Sequence, residues 1–240
     1  VIVGLSGDDR FVATAGTGSD RFHGNAGFDT ADLSGFGQSV VRSSASGEYT
    51  VYSDTAVVAA TLHGVERIVG SGNFELSAGR DEVQGGAAND VIVGRGGGDR
   101  LAGGDGGDII SAATDTPLTE QAPNQLFGEG GNDTILIRNT WTHADGGDGS
   151  DYFQVTPMPS TPGAVTRPTI VNGGSGADSL TYYDLADVTI DAAGVVRLSN
   201  TTTHQVTTEL SNVEYLSMLV PLGTTGSVKL TTANPNATAP

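Results

Sequence analysis

The sequence predicts an all-β solenoid of short stacked coils, and three observations predict it. An aspartate stands at the sixth place of a glycine-rich nonapeptide ten times, at Asp9, Asp20, Asp29, Asp81, Asp90, Asp99, Asp108, Asp133, Asp151 and Asp178. The fourth place is glycine in nine of the ten, Ala88 being the exception. The eighth place is always apolar: Phe11, Phe22, Ala31, Val83, Ile92, Leu101, Ile110, Ile135, Phe153 and Leu180. Self-similarity at a short fixed period marks a repeat architecture, in which each unit buries its face only against its neighbours. A flexible Gly/Asp spacer needs no apolar residue at a fixed phase, so that reading fails.

The cleanest stretch is unbroken. Leu76–Gln84, Gly85–Val93, Gly94–Ala102 and Gly103–Ser111 follow one another without a gap and set Asp81, Asp90, Asp99 and Asp108 nine residues apart. Glycine permits the left-handed backbone angles that turn carbonyl oxygens inward, and each turn adds a carboxylate. Calcium, a hard cation taking six to eight oxygens, suits that mixture.

At these residues the chain resembles the hemolysin-type calcium-binding nonapeptide, GGxGxDxUx, of RTX proteins. The resemblance implies a right-handed parallel β-roll with two nonapeptides per coil. Residues 1–6 of each repeat would form a calcium-binding turn and residues 7–9 a short strand. It also implies the ligands: the ten aspartates, with backbone oxygens of Gly85, Ala87, Gly94, Gly96, Gly103, Asp105, Gly128, Gly130, Gly146, Asp148 and Gly173. The pattern is weakest at two places. Leu76-Ser77-Ala78 lacks the first two glycines, and Ala15 and Asn25 replace glycines upstream, so the sites at Asp81 and Asp20 depart furthest from the family.

Along the chain the repeats come in blocks. Residues 1–32 hold three nonapeptides, and 76–181 hold the main array. Between them, 33–75 loses the glycine rhythm and shows β-rich stretches at Ser39–Arg42, Tyr49–Tyr52, Val57–Leu62 and Glu66–Val69; 182–230 is β-rich again. The two β-rich zones look like copies. Each ends in a similar phrase, Leu62-His63-Gly64-Val65-Glu66-Arg67-Ile68 and Leu210-Ser211-Asn212-Val213-Glu214-Tyr215-Leu216, at 37 and 36 residues past Asp29 and Asp178. Both are expected to be wider β-helix-like coils continuing the stack, with Glu66 and Glu214 equivalent. Residues 231–240 read as a linker or tail.

Interruptions in the main array keep a rule. The aspartate spacings are 25, 18 and 27 from Asp108 through Asp133 and Asp151 to Asp178. Each interrupted stretch ends in a strand-like triplet before the next glycine: Gln125-Leu126-Phe127, His143-Ala144-Asp145 and Ile170-Val171-Asn172. Each therefore counts as one repeat whose calcium turn is lost, with proline-bearing loops at 112–124 and 155–169 bulging from one side. Alternate aspartates then stack, so Asp90, Asp108, Asp133, Asp151 and Asp178 are expected in one column. Asp81 and Asp99 begin a second column that the loops end.

Composition bounds the function. The formal charge is −17, aspartate (20) outnumbers glutamate (8), and Lys229 is the sole lysine. No basic patch answers phosphates, which argues against nucleic acid as a partner. No apolar run is long enough for a transmembrane segment. Cysteine is absent, so no disulfide staples the fold and metal is the obvious substitute. The first residues, Val1-Ile2-Val3-Gly4, read like Val91-Ile92-Val93-Gly94, as if the chain began mid-repeat within a longer protein. His23, His63, His143 and His204 show no metalloprotease spacing, and neither a nucleophile elbow nor a phosphate loop occurs, so no enzymatic activity is expected.

The reading that results is a calcium-dependently folded structural module of a larger secreted or cell-surface bacterial protein, of the adhesin or surface-layer type. The alternative is the C-terminal secretion and stabilising region of an exoenzyme whose catalytic domain lies outside this chain. Calcium ions, roughly five or more, are the expected cofactor, by the count of stacked turns. Self-association and cell-surface components are the macromolecular partners left open.

Overall fold

Positions 7–9 become strands because only their middle side chain faces inward. In Glu82–Gln84 and Val91–Val93 the central residue is fully buried and its neighbours half-buried, the alternation a pleated strand imposes. All ten apolar position-8 residues lie in the core. Each larger one contributes about 1.5–3 kcal/mol by leaving water.

The protein is described by a computed structural model covering residues 1–14, 19–44, 46–53, 58–113, 123–138, 141–156, 167–184, 186–191, 193–201, 206–219 and 225–228. The opening coils use β1 (Ile2–Val3), β2 (Arg10–Thr14), β3 (Asp20–His23) and β4 (Thr30–Gly35). Then come β5 (Gln38–Ser43), β6 (Tyr49–Tyr52), β7 (Val58–His63), β8 (Arg67–Val69) and β9 (Ser71–Glu75). The main array contributes β10 (Glu82–Gln84), β11 (Val91–Val93), β12 (Arg100–Asp105), β13 (Ile109–Ala113), β14 (Asn124–Gly130), β15 (Thr134–Arg138), β16 (Thr142–Asp148), β17 (Tyr152–Thr156), β18 (Thr169–Ser175) and β19 (Ser179–Tyr182). The last elements are β20 (Ala186–Ile190), β21 (Val196–Asn200), β22 (Val206–Ser211), β23 (Tyr215–Leu219) and β24 (Thr225–Val228).

Through the main array successive strands alternate between two sheets, so one coil is one strand from each. One sheet runs β1-β3-β7-β6-β5-β9-β11-β13-β15-β17-β19-β23-β24, the other β2-β4-β8-β10-β12-β14-β16-β18-β22-β21-β20. Pairing across the array is parallel and in repeat register: Val83 opposite Leu101, Leu101 opposite Leu126, Leu126 opposite Ala144, and Ala144 opposite Val171. The facing sheet stacks Phe74, Ile92, Ile110, Ile135, Phe153, Leu180 and Leu216 in the same way. These two columns of side chains form the spine of the core. The architecture is an all-β parallel solenoid, and among the described residues there is no helix, hence none long and apolar enough to cross a membrane.

The three interrupted repeats keep their places in the stack. Gln125 pairs with Arg100, His143 with Gln125, and Ile170 with His143. The loop limits are narrower than expected: Ala112, Ala113, Asn124, Val155, Thr156 and Thr169 are strand residues. Residues 114–122 and 157–166, the body of both loops, and the tail 231–240 lie outside the described residues.

The zones expected as wider β-helix-like coils have a strand direction that the expectation left open. Each continues the stack but folds back on itself. β5, β6 and β7 form an antiparallel meander set between β3 and β9, while β20, β21 and β22 form another at the end of the second sheet. Period-two burial is shared by parallel and antiparallel strands, so the direction of return is set by the tight connections. Gly47 and Gly194, with positive φ of 79° and 84°, lie in two of these turns.

Candidate metal centre

Every aspartate of the array stands at the end of a turn, immediately before a strand, so the coil stacking aligns them along two edges. On the first edge each backbone amide donates to the next carboxylate. Asp90 N–H donates to Asp108 Oδ1 at 2.7 Å, Asp108 to Asp133 at 2.7 Å, Asp133 to Asp151 at 2.8 Å and Asp151 to Asp178 at 2.8 Å. The predicted column of five is thus one continuous ladder. It begins where Gly72 N–H donates to Asp90 Oδ1 and ends where Asp178 N–H donates to Glu214 Oε2 at 2.8 Å.

The second edge is broken and partly neutral. Asp9 N–H donates to Asp29 Oδ1, and Asp29 N–H to Glu66 Oε2, both at 2.8 Å. Further along, Asp81 donates to Asp99 Oδ1 at 3.0 Å and Asp99 to the Asn124 side-chain oxygen at 2.9 Å. Beyond it the sixth position is Thr142, then Thr169, then Thr208, all buried. The charge column therefore ends at Asp99, with a neutral amide in the next rung.

The ladder uses one oxygen of each carboxylate. The other, Oδ2, of Asp29, Asp99, Asp108, Asp133, Asp151 and Asp178 is buried without a hydrogen-bond partner. A buried unpaired charged oxygen is costly and calls for an ion or water. What surrounds it is oxygen. A Cβ added to Gly128 would meet Asp133 Oδ2 at 2.2 Å and Gly146 O at 2.3 Å; one added to Gly146 would meet Asp151 Oδ2 at 2.1 Å and Gly173 O at 2.3 Å. The first-position glycine thus leaves open a cradle where a carboxylate and the next coil's carbonyl converge. The same holds at Gly85, beside Asp90 Oδ2 and Gly103 O. Gly94 and Gly103 face Asp99 Oδ2 and Asp108 Oδ2.

Third-position residues contribute differently. The carbonyls of Gly130 and Asp148 accept amides of Gly106 and Gly131 from the preceding coil, each keeping a second lone pair. Ala87 and Gly96 lie in the bends themselves. The side chains of Asp105 and Asp148 are exposed, so their backbone is what faces the stack. Among the described residues no three acidic or histidine side chains gather in one cluster; at the described rungs the convergence is of a carboxylate with main-chain oxygen.

Burial disfavours ionisation of these carboxyls. It raises Asp90 and Asp151 above the usual carboxylate range, and pushes Asp108 to about 7, Asp133 to about 6 and Asp178 to about 6. Asp99 rises to about 8. Backbone hydrogen bonds oppose the shift in each case without cancelling it. Left bare, the edge resists its own charge; a divalent cation offsets both burial and mutual repulsion.

Three expected sites stand apart. Asp81 is buried, but its Oδ1 accepts the Tyr49 hydroxyl and its Oδ2 accepts from Ser77 N–H at 3.0 Å and Ser77 Oγ at 2.9 Å, so the protein itself satisfies it. Tyr49 comes from the β5–β7 meander, and no local motif forecasts that contact. Asp9 is half-exposed, with Leu5 N–H on its Oδ2. Asp20 is exposed at the start of β3, and the turn before it lies outside the described residues. Conversely, Glu66, Glu214 and Asn124 join the ladders. The repeated phrase marked the two glutamates as equivalent, yet nothing local marked any of the three as a rung.

A family profile for the RTX calcium-binding nonapeptide repeat matches the chain in four copies, over residues 14–33, 77–110 and 122–136. The chain contains RTX calcium-binding nonapeptide repeats. In these RTX repeats the matched spans take in Asp20, Asp29, Asp81, Asp90, Asp99, Asp108 and Asp133, while Asp151 and Asp178 continue the same ladder beyond them. No curated protein matches the chain.

Proposed function

We propose that this RTX chain is a structural module, without catalytic chemistry of its own, that folds when calcium binds between its coils and serves a larger secreted or cell-surface bacterial protein of adhesin or surface-layer type. The observation that carries the reading is the row of buried, partnerless Oδ2 atoms, each beside a first-position glycine. Asp90, Asp133 and Asp151 would hold ions with carbonyl oxygens of Gly103, Gly146 and Gly173, and Asp99, Asp108 and Asp178 offer the same buried oxygen; Asp29 offers it upstream. When bound, calcium supplies positive charge and oxygen coordination, nothing more. The chain supplies spacing, burial and register.

An unfolded chain has no such spacing, so binding free energy becomes folding free energy. At about 1 mM calcium, a site of about 10⁻⁴ M stabilises by about 1.4 kcal/mol. Five such sites give about 7 kcal/mol, comparable with the whole stability of an ordinary domain. A module of this kind stays unfolded where calcium is scarce and folds outside the cell, which supports the extracellular placement. Far-UV circular dichroism across a calcium titration tests the reading: a β spectrum should appear with calcium and disappear with chelator. A spectrum indifferent to chelation at neutral pH would overturn it.

A further inference from the structure

Two segments outside the nonapeptide pattern reproduce the cradle with half the residues. In an ordinary repeat the first-position glycine and the aspartate span six residues, as in Gly24–Asp29 and Gly173–Asp178. In Gly64-Val65-Glu66 and Asn212-Val213-Glu214 the equivalent span is three. Gly64 and Asn212 hold left-handed φ of 57° and 50°. That conformation turns their carbonyls onto the preceding coil. A Cβ on Gly24 would meet Gly64 O at 2.0 Å and Asp29 Oδ2 at 2.2 Å; one on Gly173 would meet Asn212 O at 1.8 Å and Asp178 Oδ2 at 2.6 Å. These are the convergences found at Gly128 and Gly146.

The remaining parts also match. Glu66 Oε2 and Glu214 Oε2 take the ladder bond that an aspartate Oδ1 takes elsewhere. The longer side chain makes up reach lost with the shorter turn, and the middle residues, Val65 and Val213, are buried. In both, two successive amides close on the preceding aspartate carbonyl: Glu66 and Arg67 on Asp29, Glu214 and Tyr215 on Asp178. Asp29 and Asp178 are fully buried, and their Oδ2 atoms have no partner. The two segments lead into different sheets, so the device occurs on both edges independently.

We propose that Gly64-Val65-Glu66 and Asn212-Val213-Glu214 are shortened divalent-cation turns, each completing an oxygen-lined site with Asp29 or Asp178 and ending a run of calcium rungs. Glu66 ends its run because the next carboxylate, Asp81, is taken by Tyr49 and Ser77. The proposal rests on the calcium reading above and completes the Asp29 and Asp178 sites with glutamates that no nonapeptide supplies.

Equilibrium dialysis of the whole chain against calcium counts the ions, on the unaltered protein and on Glu66→Gln and Glu214→Gln. Glutamine keeps an acceptor for the Asp29 or Asp178 amide but loses the charge, so a purely structural glutamate tolerates the change. Each variant should lose one bound ion, or bind it at least about tenfold more weakly, while reaching the unaltered β spectrum at saturating calcium. Unchanged stoichiometry and affinity in both variants overturns the proposal and leaves the calcium reading intact; no binding by the unaltered chain sinks both. Should a variant fail to fold, terbium anomalous scattering from crystals of the unaltered chain decides. A peak bounded by Asp178 Oδ2, Asn212 O and Glu214 supports the proposal. Peaks at the Asp108, Asp133 and Asp151 rungs with none there overturn it.

Discussion

Asp133→Asn should change the sign of its effect with calcium. Asp133 is the middle of the continuous edge, with its amide on Asp151 and its carboxylate under the amide of Asp108. It therefore borders two cation positions, and losing both costs about 2.8 kcal/mol at about 1 mM calcium if each dissociates at about 10⁻⁴ M. Without calcium the arithmetic reverses. Burial holds the carboxyl at about 6, against about 3.9 in an unfolded chain, so keeping it ionised at neutral pH costs up to about 3 kcal/mol. Asparagine removes that cost. Its Oδ1 can keep the Asp108 bond, and its Nδ2 would take the place of Oδ2 in the cradle that the Gly146 carbonyl also borders. Urea unfolding followed by circular dichroism measures the first in calcium, and the β signal left after chelation measures the second. The variant should be weaker than the parent in calcium and no weaker without it. Equal loss under both conditions would mean Asp133 is merely a hydrogen-bonding residue and would refute the reasoning.

Acid should substitute for calcium. Asp99, Asp108, Asp133 and Asp178 have folded-state values of about 8, 7, 6 and 6, all raised by burial. A raised value means a contribution fully present below about pH 4 and lost as pH climbs through those values; chelated protein should thus be more β-structured at low pH than at pH 8, and greater stability at pH 8 would contradict the assignment. Calcium affinity, which needs ionised carboxylates, should fall over the same window by titration calorimetry. Gly131→Ala should cost upwards of about 3 kcal/mol, because φ there is 122° and a Cβ would lie 1.5 Å from Gly106 O; a thermal midpoint within a degree or two of the parent would show the coils are not so closely stacked. Asn124→Asp restores a charge beside Asp99 and should tighten calcium binding at that rung by about tenfold, with calorimetry showing no new or tighter site as the opposing result.

Much of the fold was legible because the repeat states its own register. A buried residue at position 8 in each of ten nonapeptides needs a pleat of fixed phase, and the stack supplies it. The three interrupted repeats were also readable, since a triplet such as Gln125-Leu126-Phe127 must align with Arg100-Leu101-Ala102 to bury Leu126 over Leu101. Asp81 was readable only in part: the missing glycines at Leu76-Ser77 set its site apart from the family but did not show what satisfies it. Its neutral partner, Tyr49, lies 32 residues away on a meander whose direction local burial does not encode. Glu66 and Glu214 show the opposite limit: their equivalence was visible as a repeated phrase, but the reach of a glutamate from a shortened turn is a matter of three-dimensional fit.

The two edges of the roll differ in what they become when the ions leave. Along one, Asp90 through Asp178 to Glu214 is an unbroken line of acids. Along the other, Asn124, Thr142, Thr169 and Thr208 have no charge to shed or regain. Calcium loss therefore acts asymmetrically: the repulsion that opens the chelated chain is concentrated on one seam, and past Asp99 the opposite seam adds none.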